Sequence, residues 1–186
     1  MSAIDPSAFD FESERLHLRP LDEGDGALFH GLYTDPETMR FIAPPLSTEQ
    51  AASKFRKIVV RQREPSLRWR FLAILEKATR KPVGICGTSR YDAEALRLEV
   101  GIVLNPGAGS RGFAREALAA LMNRVFAVSS IDEIWVECSM LYPAVERMVS
   151  AVGFTPCMDG AGNEVLSSKR IWSVHRSSWY VNQASN

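Results

Sequence analysis

The spacing of apolar and polar residues changes along the chain, and each change predicts a new element. Residues 15–20 (RLHLRP) alternate, with Leu16 and Leu18 on one side, which predicts a half-buried strand. The following segment predicts a helix that begins near Glu23 and ends before Pro36.

A second helix is predicted after the rigid step formed by Pro44 and Pro45. Ser47 is expected as its N-cap, and Gln50, three residues later, completes a capping box. Apolar residues then follow helical spacing as far as Gln62, with Lys and Arg on the opposite face.

Alternation then returns in three segments that short turns connect. Strands are predicted over residues 69–75, 83–91 and 96–104, and together they form an antiparallel meander. The side chains expected on one face of the third strand are those of Leu98, Val100, Ile102 and Leu104.

A glycine-rich turn over residues 105–112 precedes a predicted helix of about four turns. The buried face of that helix is expected to comprise Ala114, Ala117, Leu118, Leu121, Met122 and Val125. The remaining predictions are a strand at 134–140, a helix at 142–151 that Gly153 ends, an extended piece from Phe154, a turn at 159–164 and a strand at 169–175. This order predicts a single α+β domain over residues 1–186, with its core at about 12–180.

Composition and charge exclude several classes of protein. The 186 residues are 46% apolar and 24% charged, as in a soluble globular domain. The 22 basic and 22 acidic side chains cancel, so we expect neither a nucleic-acid nor a membrane partner. No signal-peptide or membrane-spanning pattern is present, which predicts a cytoplasmic protein. One local basic cluster is expected to be a solvated face: Arg61, Arg63, Arg68 and Arg70.

Metal chemistry is not expected from the Cys and His residues. Cys86, Cys138 and Cys157 lie far apart, form no C-x-x-C pair and have no histidine at ligand spacing. We therefore predict no metal site, and we interpret the cysteines in apolar runs as small core residues.

The glycine-rich turn is the most informative segment for function. A turn that opens a helix can bind an anion, because the first helical N–H groups lack partners and the helix dipole adds positive charge. Gly107, Gly109 and Gly112 allow close approach of a phosphate, and Arg111 and Arg115 add charge. The spacing of a P-loop is absent. The residues alone leave open a turn that needs glycine only for its conformation, and a nucleotide-binding turn.

Several segments resemble one known family. EVGIVLNPGAGSRGFAREAL (99–118) resembles the cofactor-binding segment of the Gcn5-related N-acetyltransferases (GNAT), particularly the branch that acetylates ribosomal-protein N-termini. SERLHLRPLDEGD, KPVGICG, AVERMVSAVGF and WSVHRSSW resemble the family's opening strand, its hydrophobic-glycine strand, its helix ending in Gly-Phe and its closing strand. The resemblance implies a mostly antiparallel mixed sheet flanked by helices, in a monomer or homodimer.

The same resemblance implies an activity and a binding site. The activity is direct transfer of acetyl from acetyl-coenzyme A (acetyl-CoA) to a primary amine, either a protein N-terminus or a small amine. The implied cofactor-binding residues are Leu104, Gly109, Ser110, Arg111, Gly112, Phe113, Ala114 and Arg115. Gly109 and Ser110 depart from the family pattern [QR]-x-x-G-x-[GA], but binding through backbone amides survives both changes.

The family's usual proton-donor positions are altered in this chain. Val145 and Val149 stand where relatives carry Ser and Tyr, and Tyr142 replaces Asn. Tyr142 is therefore our candidate donor to the leaving thiolate, and Glu99 our candidate acceptor of the amine proton, directly or through water. Packing for Tyr142 and a solvated strand position for Glu99 remain alternatives, as does a non-catalytic CoA-binding or protein-interaction module.

Overall fold

The computed structural model describes residues 4–157 and 169–184. The strands are β1 Phe11–Glu12, β2 Leu16–Pro20, β3 Phe71–Glu76, β4 Pro82–Asp92, β5 Arg97–Leu104, β6 Glu133–Ser139, β7 Thr155–Pro156 and β8 Lys169–His175. They form one sheet in the order β1-β2-β3-β4-β5-β6-β8-β7. Every neighbouring pair is antiparallel except β5 and β6, which are parallel.

Helices flank this sheet, which confirms the predicted α+β class. They are α1 Gly26–Thr34, α2 Pro36–Met39, α3 Thr48–Arg61, α4 Phe113–Val128, α5 Pro143–Val152 and α6 Arg176–Ala184. The sequence predictions did not include β1, α2 or α6. The predicted turn at 159–164 lies outside the described residues.

Apolar clusters cover both faces of the sheet, but unequally. The larger cluster contains the buried faces of α4 and α5 against Leu98 and Val100 of β5. The smaller one packs α1 and α3 against Ala73, Ile85 and Val103, and it takes no buried residue from the described parts of β6 or β8. On the second face, α1 and α3 therefore leave the described parts of β6 and β8 open.

The alternation predicted for β5 is confirmed, with one addition. Leu98, Val100, Ile102 and Leu104 all contribute to the larger cluster. Val103, on the opposite face, is also buried because α1 and α3 cover it. The end of β5 therefore has a core on both sides.

Two helix ends form as predicted from short-range sequence. The Gln50 amide donates to Ser47 Oγ at 3.2 Å, and the Ser47 amide donates to Gln50 Oε1 at 2.9 Å. Gly153 has φ 119°, a left-handed conformation that favours glycine, and the next amide, of Phe154, donates to the Val149 carbonyl at 3.1 Å. Both the capping box and the terminal glycine are confirmed.

The segment before β3 corrects two predictions. The strand begins at Phe71, because Trp69 has a left-handed φ of 67°. Arg70 is fully buried, so a solvated face is wrong for this member of the basic cluster. Its guanidinium donates to the carbonyl oxygens of Gln62, Glu64 and Ser66, which closes the loop between α3 and β3.

Candidate active site

The sheet separates between its two parallel strands. Three residue pairs join β5 to β6, and the last of them is Glu99 with Trp135. Beyond that pair β5 continues to Leu104 paired only with β4, and β6 continues to Ser139 paired only with β8. The two facing strand edges therefore present backbone N–H and C=O groups that need another partner. We call this opening the β5–β6 split.

The glycine-rich turn lies at the open end of the β5–β6 split, directly after β5. Gly107 and Gly112 have φ values of 85° and 76°, which favour glycine. Helix α4 starts after Gly112, and no side chain caps it there. A Cβ added at Gly109 would meet no atom within 4 Å, so the turn is accessible. The start of α4 thus offers free amides and the positive end of a helix dipole.

Two arginines flank this turn, and both are paired with acids. Arg111 forms an ion pair with Glu76, and its Cζ lies 4.4 Å from the centre of the Phe113 ring. Arg15 lies over the same ring at 5.0 Å and bonds Glu116 at 2.7 Å. The hydrogen bonds from Arg111 and Thr79 hold the pKa of Glu76 below its ordinary value. These contacts brace the turn.

The eight predicted cofactor-binding residues are close together in the structure. Leu104 ends β5, residues 109–112 form the end of the turn, and residues 113–115 form the first turn of α4. Arg115 is exposed and forms no ion pair within the described part of the chain. A positive side chain is therefore available beside the amides.

The closed end of the split contains Glu99, which is 14% exposed at its side chain. Ser89 Oγ donates to its carboxylate, and Arg90 Nε lies 3.2 Å from Glu99 Oε2. Arg90 Nη1 also lies 3.3 Å from Glu137 Oε2, and its Cζ lies 5.2 Å from the Trp135 ring centre. Arg90 therefore joins acids from both strands of the split.

Lys169 extends this group of charges onto β8. Its Nζ lies 2.7 Å from Glu137 Oε1, and this bond, aided by Arg90, keeps the pKa of Glu137 below its ordinary value. Glu99, Arg90, Glu137 and Lys169 form what we call the charge row. Sequence reasoning missed Arg90 and Lys169, because no local pattern marks a residue that pairs across strands.

Tyr142 lies at the other end of β6, as the N-cap residue of α5. It is 43% exposed, and its ring stacks on Phe41 with the centroids 4.6 Å apart. Phe41 belongs to the connection between α2 and α3, so this stack closes part of the open face. The structure thus places Tyr142 across the open end of the split from the glycine-rich turn.

The two candidate catalytic residues are not brought together. Glu99 is level with Trp135, and the four residues from there to Ser139 span roughly 13 Å at about 3.3 Å each. No hydrogen bond joins Glu99 and Tyr142 within the described part of the chain. Val149 is buried in the core and Val145 packs against it.

Residues 15–155 match the family model of the acetyltransferase (GNAT) domain. The chain belongs to the GNAT acetyltransferase family. A curated relative, the uncharacterized N-acetyltransferase p20 of Bacillus licheniformis, is 30% identical over 124 residues, which cover 66% of this chain and 68% of the relative. This GNAT protein is accordingly an acetyl-CoA-dependent acyltransferase.

Solved GNAT structures share its fold. A spermidine N-acetyltransferase from Vibrio cholerae, in complex with CoA and spermine, aligns with a TM-score of 0.75 at 16% identity, over 90% of this chain and 99% of that one. A ribosomal-protein-S5-alanine acetyltransferase from Vibrio fischeri aligns with a TM-score of 0.73 at 15% identity, over 91% and 97%. These likenesses confirm the GNAT fold.

The site residues of this GNAT protein fit acetyl-CoA. The free edge of β5 can pair with the amide groups of the pantetheine arm. The uncapped start of α4 can bind the pyrophosphate of acetyl-CoA. Within the described residues, no group of three or more His, Cys, Asp or Glu side chains could hold a metal ion. No helix in the described ranges is both long and apolar enough to cross a membrane.

Proposed function

We propose that this protein N-acetylates a primary amine, a protein N-terminus or a small amine, by direct transfer from acetyl-CoA bound in the β5–β6 split. The observation that carries the proposal is the split itself, which opens in an otherwise hydrogen-bonded sheet and ends at an uncapped helix. An extended ligand with amide groups that lead to a pyrophosphate matches both features.

Backbone groups supply most of the proposed cofactor binding. Residues 109–115 hold the pyrophosphate through amides, and the edge of β5 up to Leu104 pairs with the pantetheine arm. Arg115 adds a charge-assisted contact, whereas Arg111 is engaged by Glu76. This division explains why glycine and serine can stand at 109 and 110, since any residue but proline supplies the N–H.

Glu99 is the proposed acceptor of the amine proton. Its carboxylate lies at the closed end of the split, where an amine entering from the open face meets it. Ser89 donates a hydrogen bond to that carboxylate and Arg90 lies 3.2 Å from it, and these two contacts fix its position. As the amine nitrogen bonds to the carbonyl carbon and the carbon–sulfur bond breaks, Glu99 takes the proton, directly or through one water.

Tyr142 is the proposed proton donor to the leaving thiolate. Its exposure and its stacking on Phe41 keep the ring at the open end of the split. Glu99 acts on the amine nitrogen and Tyr142 on the sulfur of the same tetrahedral carbon, so the two proton transfers are distinct and each can be tested separately. Val149, at the family's tyrosine position, is a core residue here.

Steady-state thiol release with a panel of amines and peptides tests this function, together with calorimetric titration of CoA. We expect turnover by the wild type, and intersecting rather than parallel double-reciprocal lines because transfer is direct. Glu99→Gln should lower kcat by about a hundredfold or more with unchanged CoA affinity.

The matched control is Glu133→Gln, which removes an acid of β6 that pairs with Arg97 at 2.6 Å. This variant should keep its kcat. Tight CoA binding with no turnover on any acceptor would favour a non-catalytic CoA-binding or protein-interaction module. Displacement of CoA by ATP would instead favour a nucleotide site.

A further inference from the structure

Arg90 occupies an irregular place in the sheet. Strand β4 pairs with β5 at Ser89–Glu99 and again at Asp92–Arg97, so β4 takes three steps where β5 takes two. This β-bulge gives Arg90 a φ of 31°, which L-residues rarely adopt. Bulges re-aim side chains and are common beside active sites. The backbone is therefore strained at Arg90 itself, the residue whose side chain the bulge orients.

The bulge directs Arg90 to the closed end of the split. The guanidinium bonds Glu99 of β5 and Glu137 of β6 while it lies over Trp135. Its side chain is still 59% exposed, and an open cleft of about 600 Å³ borders it, lined also by Asp92, Glu94, Arg97, Trp135 and Ile171. Arg90 both lines this cleft and bonds Glu99, so an acceptor that enters the cleft meets the guanidinium beside that carboxylate.

The charge row is neutral as a whole. Glu99 and Glu137 carry two negative charges, and Arg90 and Lys169 carry two positive charges at 2.7–3.3 Å from them. A second ammonium group on an acceptor would find no free carboxylate in the row and would meet a guanidinium instead. Repulsion between the guanidinium and a second ammonium group disfavours a doubly charged acceptor, without any better contact to a singly charged one.

We propose that Arg90, assisted by Lys169, determines the charge of the acceptor: the protein takes amines with a single positive charge, such as a peptide N-terminus, and excludes polyamines. This inference rests on the proposed function and deepens it. The GNAT fold does not settle the acceptor, because one fold hosts many acceptors and specificity lies in the site.

Calorimetric titration of spermidine into CoA-saturated protein tests this role without requiring turnover. Arg90→Gln should tighten spermidine binding by about tenfold and steepen its dependence on salt, because it leaves Glu99 without its cation and gives the charge row one net negative charge. Arg90→Lys keeps the charge and should restore the exclusion. Adding Glu137→Gln to Arg90→Gln restores the net charge and should return spermidine affinity to near the wild-type value.

Arg170→Gln is the matched control, since it removes an arginine that pairs with Glu146 at 3.1 Å and is not among the residues that line the cleft. It should change spermidine affinity by less than threefold. An equal effect of Arg170→Gln and Arg90→Gln would overturn the proposal, as would unchanged spermidine affinity in Arg90→Gln. A parallel loss of CoA affinity in Arg90→Gln would show instead that Arg90 only fastens the two strands together.

Turnover separates this proposal from the proposed function. The wild type should prefer a tripeptide with a free N-terminus and uncharged side chains over spermidine, and the ratio of kcat/KM values should fall at least tenfold in Arg90→Gln. Equal efficiency of the wild type on both acceptors overturns the role of Arg90 but leaves N-acetylation intact. If no acceptor is turned over, N-acetylation fails and the spermidine titration still decides the role of Arg90.

Discussion

Helices α3 and α4 begin in opposite ways. At the start of α3, Ser47 and Gln50 bond each other's backbone amides. At the start of α4, Gly112 contributes no side chain and nothing caps the helix. Both ends must satisfy their first N–H groups. Helix α3 does so with its own side chains, whereas α4 leaves its first N–H groups to solvent or a ligand. Helix α4 is the one that begins at the β5–β6 split.

Helix α5 is an intermediate case. Tyr142 precedes it without forming a side-chain cap, and Pro143 at its first position removes one of the N–H groups that would need a partner. An open helix end therefore does not by itself indicate an anion site. Both helices follow a free strand edge of the split, but the start of α4 also combines free amides with the glycines of the preceding turn, which the start of α5 lacks.

The largest expected effect comes from removing a backbone N–H at the uncapped start of α4. Gly112→Pro should abolish CoA binding, because proline removes an N–H and cannot adopt the φ of 76° found there. Calorimetry measures the affinity, and circular dichroism checks that the variant folds. Gly112→Ala is the control: it also strains the left-handed backbone but keeps the N–H, and its Cβ meets only Arg15 Nη2, at 3.5 Å. Unchanged affinity in a folded Gly112→Pro protein would refute the assignment of the turn.

The next largest expected effect is on kcat, from a change at Tyr142, the residue that precedes α5. Tyr142→Phe keeps the ring that stacks on Phe41 and removes only the hydroxyl. Loss of a proton donor should lower kcat by about a hundredfold, with CoA affinity little changed. A kcat within about threefold of the wild type would assign Tyr142 to packing.

A smaller effect is expected at the capped helix. Ser47→Ala should destabilise the protein by about 1 kcal/mol, or roughly 2–4 °C in Tm, because it removes one side-chain cap. Thermal unfolding gives the stability, and calorimetry should show unchanged CoA affinity. If this variant weakened CoA binding as Gly112→Pro does, the contrast between the two helix starts would be lost.

The smallest expected effect is on the pH dependence of stability, through the Glu76–Arg111 ion pair beside the uncapped start of α4. Arg111 lowers the pKa of Glu76 from an ordinary value of 4.5, so the pair stabilises the folded state above that pH and the benefit disappears as pH falls through the lower folded pKa. The Tm difference between wild type and Glu76→Gln should therefore be largest near neutral pH and shrink below about pH 4.5. A difference that grows on acidification would contradict this pairing.

Short-range patterns predicted much of the fold because their causes are local. The capping box at Ser47, the terminal glycine at 153 and the alternation in β5 each depend on residues a few positions apart. Val103 and Arg70 were missed because distant elements bury them.

The candidate site divides in the same way. Residues 109–115 could be found as a contiguous motif, with the help of a family resemblance. Arg90 could not, because its role depends on a bulge and on acids from two other strands. The split itself is a property of strand pairing, and periodicity within one strand contains no information about where a partner strand diverges.

The three residue pairs between β5 and β6 have a consequence for folding thermodynamics. A pantetheine arm bound in the split as proposed would replace the missing strand-to-strand hydrogen bonds and so join the two parts of the sheet. Ligand that binds only the folded state raises the free energy of unfolding, by about 2.7 kcal/mol at a hundred times its Kd. Cells rich in CoA would therefore hold more of this protein folded, and its lifetime would follow the supply of its own substrate.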